Sequence, residues 1–189
     1  SNKLKAEGIE VVLLGKPLHI NNFTPWIKRI SSITVSPGID WEHETLKDLR
    51  SKNIKMQGEV ELAWERLNHI PSIGITGTNG KTTVTNMLNH VLKLNSLNID
   101  MGGNVGKALS KIALESKQKN YQKLNWLVLE LSSFQIEGAP KLKPDIGIWT
   151  TFTSDHLDRH NDIETYFKIK RSLLEKSSIR IYNADDKYL

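Results

Sequence analysis

Cysteine is absent from the 189 residues. That excludes disulfides, thiolate metal sites and a cysteine nucleophile, and it fits a reducing compartment. No apolar run approaches the roughly 18 residues of a membrane span, and the opening "SNKLKAEGIE" lacks the apolar core of a secretion signal. Charge of one sign is in small excess. The 26 Lys and Arg against 21 Asp and Glu leave +5, and the basic residues are neither gathered in one block nor interleaved with aromatics. Such a distribution argues against nucleic acid as a partner. Internal repeats and low-complexity tracts are missing as well. These gaps together point to a soluble cytoplasmic protein that engages neither nucleic acid nor membrane.

What is present is an alternation. Short apolar, β-rich runs recur as "IEVVLL" (9–14), "SITV" (32–35), "SIGIT" (72–76), "NIDM" (98–101), "WLVLEL" (126–131), "DIGIWT" (145–150) and "IRIYN" (179–183). Helical patterns lie between several of them. Val84, Met87, Leu88, Val91 and Leu92 fall at spacings of three and four, and residues 163–176 repeat the pattern. Strands interleaved with helices predict an α/β fold with mainly parallel sheets. "NHIPS" (68–72) interrupts the alternation and places a domain boundary near residue 70. The chain starts at Ser1 without methionine and stops just after a strand-like run, as a piece of a longer protein would.

The segment "GTNGKTT" (77–83) follows one such run and opens a helical pattern. A strand, a glycine-rich turn and a helix N-terminus make the setting of a phosphate-binding loop. Glycines let backbone N–H groups face phosphate oxygens, a lysine reaches the β/γ-phosphates and the next hydroxyl can ligate Mg²⁺. On that logic Lys81 is the phosphate cation and Thr82 the metal ligand. The strict pattern asks for a further glycine where Ile75 stands, so the match is not to the generic P-loop.

Three other residues carry chemistry. Glu130 ends "WLVLEL", at the carboxyl end of a strand, where parallel α/β sheets place their ligands, and it is a candidate for Mg²⁺. His156 lies in "TSDHLDRH" (153–160) between Asp155 and Asp158, which either orient it or serve only as a helix-capping signal. Lys170 has Tyr166, Phe167, Leu173 and Leu174 three and four residues away, so it sits on an apolar helix face. Lys168 faces Glu164, Thr165, Arg171 and Ser172 instead. A lysine on a buried face either snorkels along its stem or is held with a lowered pKa.

At these residues the chain resembles the Mur ligases of peptidoglycan synthesis, and within them the branch that adds D-glutamate. The motifs in order are "SPG" (36–38), "GTNGKTT" (77–83), "GGNVG" (102–106), "ELSSFQ" (130–135), "DHLDRH" (155–160), the helix with Lys170, and "NADD" (183–186). "GTNGKTT" is shared with folylpolyglutamate synthases and cyanophycin synthetases, whereas "ELSSFQ" with "DHLDRH" is specific to the D-glutamate branch.

The resemblance implies an ATP-dependent, amide-forming ligase. ATP would phosphorylate the carboxylate of UDP-N-acetylmuramoyl-L-alanine to an acyl phosphate, and the amine of D-glutamate would displace phosphate. It further implies that Gly77, Thr78, Asn79, Gly80, Lys81, Thr82 and Thr83 hold ATP. Thr82 and Glu130 would hold one Mg²⁺, with His156 and a carbamylated Lys170 serving a second. Lys81, His156 and Lys170 would be the catalytic group, and Ser36, Gly38, Asn104, Ser132 and Gln135 would contact the sugar nucleotide.

Residues 1–70 would then be an incomplete Rossmann-like substrate domain and 71–189 an incomplete P-loop ATPase domain. The C-terminal domain would be absent and the parent enzyme monomeric. Thr151 departs from the family's usual Asn. Two alternatives stay open: another amide ligase of the superfamily, or a nucleotide-binding protein without catalysis.

Overall fold

The computed structural model describes residues 6–8, 18–118, 123–155, 157–160 and 162–189. The chain divides into two compact units, Ser1–Ile33 with Trp41–Lys55, and Thr34–Asp40 with Met56–Leu189. The run "IEVVLL" lies outside the described residues.

In the first unit, a 3₁₀ turn at Ile20–Asn22 is capped by the His19 imidazole, and helix α1 (Glu44–Ser51) by His43. In each case Nδ1 accepts from the backbone N–H two residues on, at 3.2 and 3.1 Å. α1 buries Leu46 and Leu49. Strands β1 (Ser32–Val35) and β2 (Lys55–Gly58), most of whose residues belong to the second unit, pair in a two-stranded sheet.

The second unit is built on a five-stranded, wholly parallel sheet of β3 (Ser72–Thr76), β4 (Ile99–Gly103), β5 (Trp126–Glu130), β6 (Ile146–Trp149) and β7 (Ile179–Tyr182), in the order β4-β5-β3-β6-β7. All five residues of β3 are buried. A central strand covered on both faces reads as a continuous apolar run rather than an alternation, as "SIGIT" does.

Alternation along β5 separates two cores. Val128 joins Ile73, Ile75 and Ile99 under helix α3 (Lys81–Leu94), through Val84, Leu88 and Leu92. Leu127 and Leu129 meet the helices of the other face. These are α2 (Glu59–Leu67), α4 (Leu109–Glu115), α5 (Ser133–Glu137) and α7 (Ile163–Lys176), which supply Trp64, Ile112, Ile136 and Leu173. α4 has no side-chain cap of its own. Glu59 of α2 accepts from the Ser110 N–H at 2.6 Å and satisfies one of its unpaired donors.

A one-turn helix α6 (Leu157–His160) precedes α7. Behind the end of β6, Trp149, Phe152, Tyr166 and Leu174 form a third core, with the Trp149 and Phe152 rings edge to face at 5.7 Å. Among the described residues no helix is long and apolar enough to cross a membrane.

Candidate active site

The order β5-β3-β6 places the chain's crossing point at the centre of the sheet, and ligands of open α/β sheets bind beside such a point, at the carboxyl ends of the strands. Strand register brings the predicted residues to that edge. Ile75 pairs with Glu130, Gly103 with Glu130, and Thr76 with Trp149.

The loop after β3 turns on two glycines of positive φ, Gly77 (+149°) and Gly80 (+81°). A side chain at Gly77 would collide with the Thr150 hydroxyl. Lys81 folds back over the loop, its ammonium donating to the carbonyls of Gly77 and Thr78 at 2.9 Å each. Thr82 and Thr83 are exposed on the first turn of α3. Gly80 gives that helix no side-chain cap. The first N–H groups of α3, which have no acceptor within a helix, are therefore donors suited to an anion.

The segment after β6 clamps this loop, a contact the sequence did not reveal. The Thr150 hydroxyl donates to Asn79 O at 2.5 Å and the Thr151 hydroxyl to the same atom at 3.2 Å. In return, Asn79 N–H donates to Thr151 Oγ1 at 3.1 Å and Thr78 N–H to Thr151 O at 2.8 Å. Thr78 Oγ1 and the Thr153 backbone complete the lacing at 3.1 Å. Thr151 thus fixes both backbone polar groups of Asn79.

Glu130 is 1% exposed. Its Oε1 accepts from the Asn104 amide at 2.8 Å, while Oε2 is buried with no hydrogen-bond partner among the described residues. A bare carboxylate oxygen in a buried place is costly unless a cation or donor joins it. The "GGNVG" loop is shaped for this pairing. Gly103 (φ +103°) lies so close to the Glu130 carbonyl that no Cβ would fit, and Asn104 N–H donates to that carbonyl at 2.8 Å. Lys107 closes the loop between Asp100 (3.0 Å) and Glu115 (2.9 Å), and those partners, Glu115 foremost, raise its pKa to about 12.

Lys170 does not snorkel. It is 2% exposed, and Nζ donates to Gly77 O at 2.9 Å, lies 3.5 Å from Thr76 Oγ1 and stands 4.7 Å from the Tyr166 ring centre. Burial, and then the nearby charge of Lys81, lower its pKa to about 7 against a weaker opposing pull from Asp155. Lys168, two residues away, is exposed and paired with Glu164 at 2.7 Å.

Ser132 and Gln135 form the capping box of α5: Gln135 N–H donates to Ser132 Oγ (3.3 Å), and Ser132 N–H to Gln135 Oε1 (3.1 Å). Beside them Ser133 Oγ meets His160 Nε2 at 2.8 Å. Ser36 and Gly38 are exposed on a turn closed by Ile39 N–H to Ser36 O at 3.0 Å. His156 lies outside the described residues. No group of three or more His, Asp or Glu side chains gathers among the described residues.

Residues 75–189 match the family described as "Mur ligase middle domain". The whole chain is 79% identical to a UDP-N-acetylmuramoylalanine–D-glutamate ligase of Prochlorococcus marinus (strain NATL2A), of which it covers 40%. Over 183 residues, 97% of the chain, it is 54% identical to the enzyme of that name from Synechococcus sp. (strain CC9902), covering 39% of it. The chain thus spans about 40% of the length of the curated relatives it matches.

Among solved structures, the fold is shared with a UDP-N-acetylmuramate:L-alanyl-gamma-D-glutamyl-meso-diaminopimelate ligase from Neisseria meningitides. The TM-score is 0.59 at 16% identity, covering 99% of this chain and 60% of that one. A MurF ligase from Thermotoga maritima in complex with ADP has TM-score 0.54 at 19% identity, covering 86% and 45%.

Proposed function

We propose that this chain, which belongs to the Mur ligase family, carries the nucleotide site and part of the sugar-nucleotide site of a cytoplasmic ligase. That enzyme joins D-glutamate to UDP-N-acetylmuramoyl-L-alanine at the expense of ATP, through an acyl phosphate, in peptidoglycan synthesis. In the parent protein, residues 1–70 belong to the substrate domain and 71–189 to the central ATP-binding domain. The relatives' names supply the substrates, and the single observation that carries the chemistry is the buried Oε2 of Glu130, without a hydrogen-bond partner among the described residues, at the strand end beside the 77–83 loop.

The residues fit MgATP. Mg²⁺ prefers oxygen ligands and few protein carboxylates, which suits Glu130 with the Thr82 hydroxyl. When bound, the ion screens the phosphates from the incoming carboxylate. Lys81 would exchange its two loop carbonyls for phosphate oxygens, and the N–H groups opening α3 would bind the same anion. The Thr150 and Thr151 hydroxyls hold the Asn79 carbonyl, so the loop's shape precedes its ligand.

Lys170 is suited to carbamylation. Carbon dioxide adds only to the neutral amine, forming an N–C bond and releasing a proton. With the pKa lowered to about 7, the neutral amine is a major species near neutral pH, against about one part in a thousand for a free lysine at pH ~7.5. The product is an anionic oxygen donor, which together with His156 would hold a second Mg²⁺.

The test uses a full-length ligase in which this sequence replaces its counterpart in the 79%-identical Prochlorococcus relative. ADP release should require both UDP-N-acetylmuramoyl-L-alanine and D-glutamate. Release with meso-diaminopimelate but not D-glutamate would reassign the substrate, and ATP binding without substrate-dependent ADP release would remove catalysis from the account.

A further inference from the structure

Arg159 has no role in the chemistry above, yet it is among the best-held charges in the second unit. Its side chain is 15% exposed. Nη1 donates to Asp40 Oδ1 at 3.0 Å, and Nη2 donates to the Ile39 carbonyl and to Glu137 Oε2 at 3.1 Å each. The guanidinium carbon stands 5.4 Å from the centre of the Phe134 ring. Four contacts on one planar group use what distinguishes arginine from lysine, a rigid fork with several donors and a face that stacks on aromatics.

The partners come from separate stretches of chain. Ile39 closes the turn that carries Ser36 and Gly38, and Asp40 directly follows it. Phe134 and Glu137 belong to α5, whose first turn carries Ser132 and Gln135. Arg159 itself lies three residues beyond His156, on α6. The junction of α5 with α6 has a second anchor, because His160 bonds Ser133 and stacks on Phe134 at 5.0 Å. Arg159 adds residues 39 and 40 to that pair.

We infer that Arg159 is a positioning residue that fixes the 36–40 turn against α5, and so sets the geometry of sugar-nucleotide binding without touching ATP. This rests on the reading of Ser36 and Gly38 as contacts of the substrate's diphosphate. Charge points the same way. Two carboxylates, Asp40 and Glu137, share one guanidinium, so its loss takes a positive charge away from both ends of the junction.

In the full-length joined ligase, Arg159→Met should raise the KM and the directly measured Kd for UDP-N-acetylmuramoyl-L-alanine roughly tenfold, and Arg159→Lys roughly threefold, since one ammonium cannot replace the fork. Asp40→Asn, a milder change in case the Met variant fails to fold, should raise them about as much as Lys does. The KM for ATP should stay within about twofold in all three, a pattern that a general loss of fold does not produce. Equal rises for ATP and sugar nucleotide, or no rise in either, would overturn the inference. A wild-type joined protein that neither binds nor turns over the sugar nucleotide would overturn the functional reading along with it. Normal wild-type behaviour with unaffected variants would overturn this inference alone.

Discussion

Two lysines reach the same carbonyl oxygen, that of Gly77, from opposite faces of the sheet. Lys81 comes from the first turn of α3 and is partly exposed, and Lys170 comes from α7 on the other face and is 2% exposed. Their donor distances are both 2.9 Å, so geometry alone does not separate them. Burial does. It leaves one lysine partly exposed on the first turn of α3 and drives the other toward the neutral amine, so that two lysines on one carbonyl suit different tasks.

The strongest way to break this contrast is to remove each lysine in the full-length joined enzyme. Lys81→Ala should cost about a thousandfold in turnover, the scale of losing a key charge-stabilising donor. Lys170→Ala should also bring activity near background, but acetate or formate should restore part of it by standing in for the proposed carbamate. The same acids should do nothing for Lys81→Ala. Equal rescue at both positions, or full activity without Lys170, would end the distinction drawn here.

A smaller effect tests the clamp that holds the loop beneath both lysines. Thr150→Val with Thr151→Val deletes two hydroxyl donors to Asn79, each worth about 1 kcal/mol, so the KM for ATP should rise roughly thirtyfold. The sugar-nucleotide KM should hold, the reverse of the pattern expected for Arg159. Smallest of all is Lys168→Ala. This exposed lysine makes a surface pair with Glu164, and its loss should leave both rate and thermal transition unchanged within error.

How much of this was legible without coordinates depends on the range of the interaction. β1, β3 and the helix 163–176 occupy the residues expected from apolar patterning, which reports local burial. The orientation of Lys170 was legible for the same reason, because neighbours three and four residues away define a helix face. β2 was not legible, since "KMQG" carries no apolar alternation. Neither was the clamp. Thr150 and Asn79 are 71 residues apart, and they meet only because β6 lies next to β3 in the sheet. Arg159 and Asp40, 119 residues apart, are the same case. Glu130 stood out by its strand-end position, but the Asn104 amide on its Oε1, which the tight Gly103 turn delivers, did not.

The central claim is that the 77–83 loop with Glu130 is a MgATP site whose cation is Lys81. It is tested most directly by the thermal transition of the 189-residue chain with and without MgATP, beside the Lys81→Ala variant, because a ligand that binds the native state raises its transition. The account predicts a rise in the wild-type chain that the variant lacks. A cooperative transition that MgATP leaves unmoved, or one that rises equally in both proteins, would contradict it.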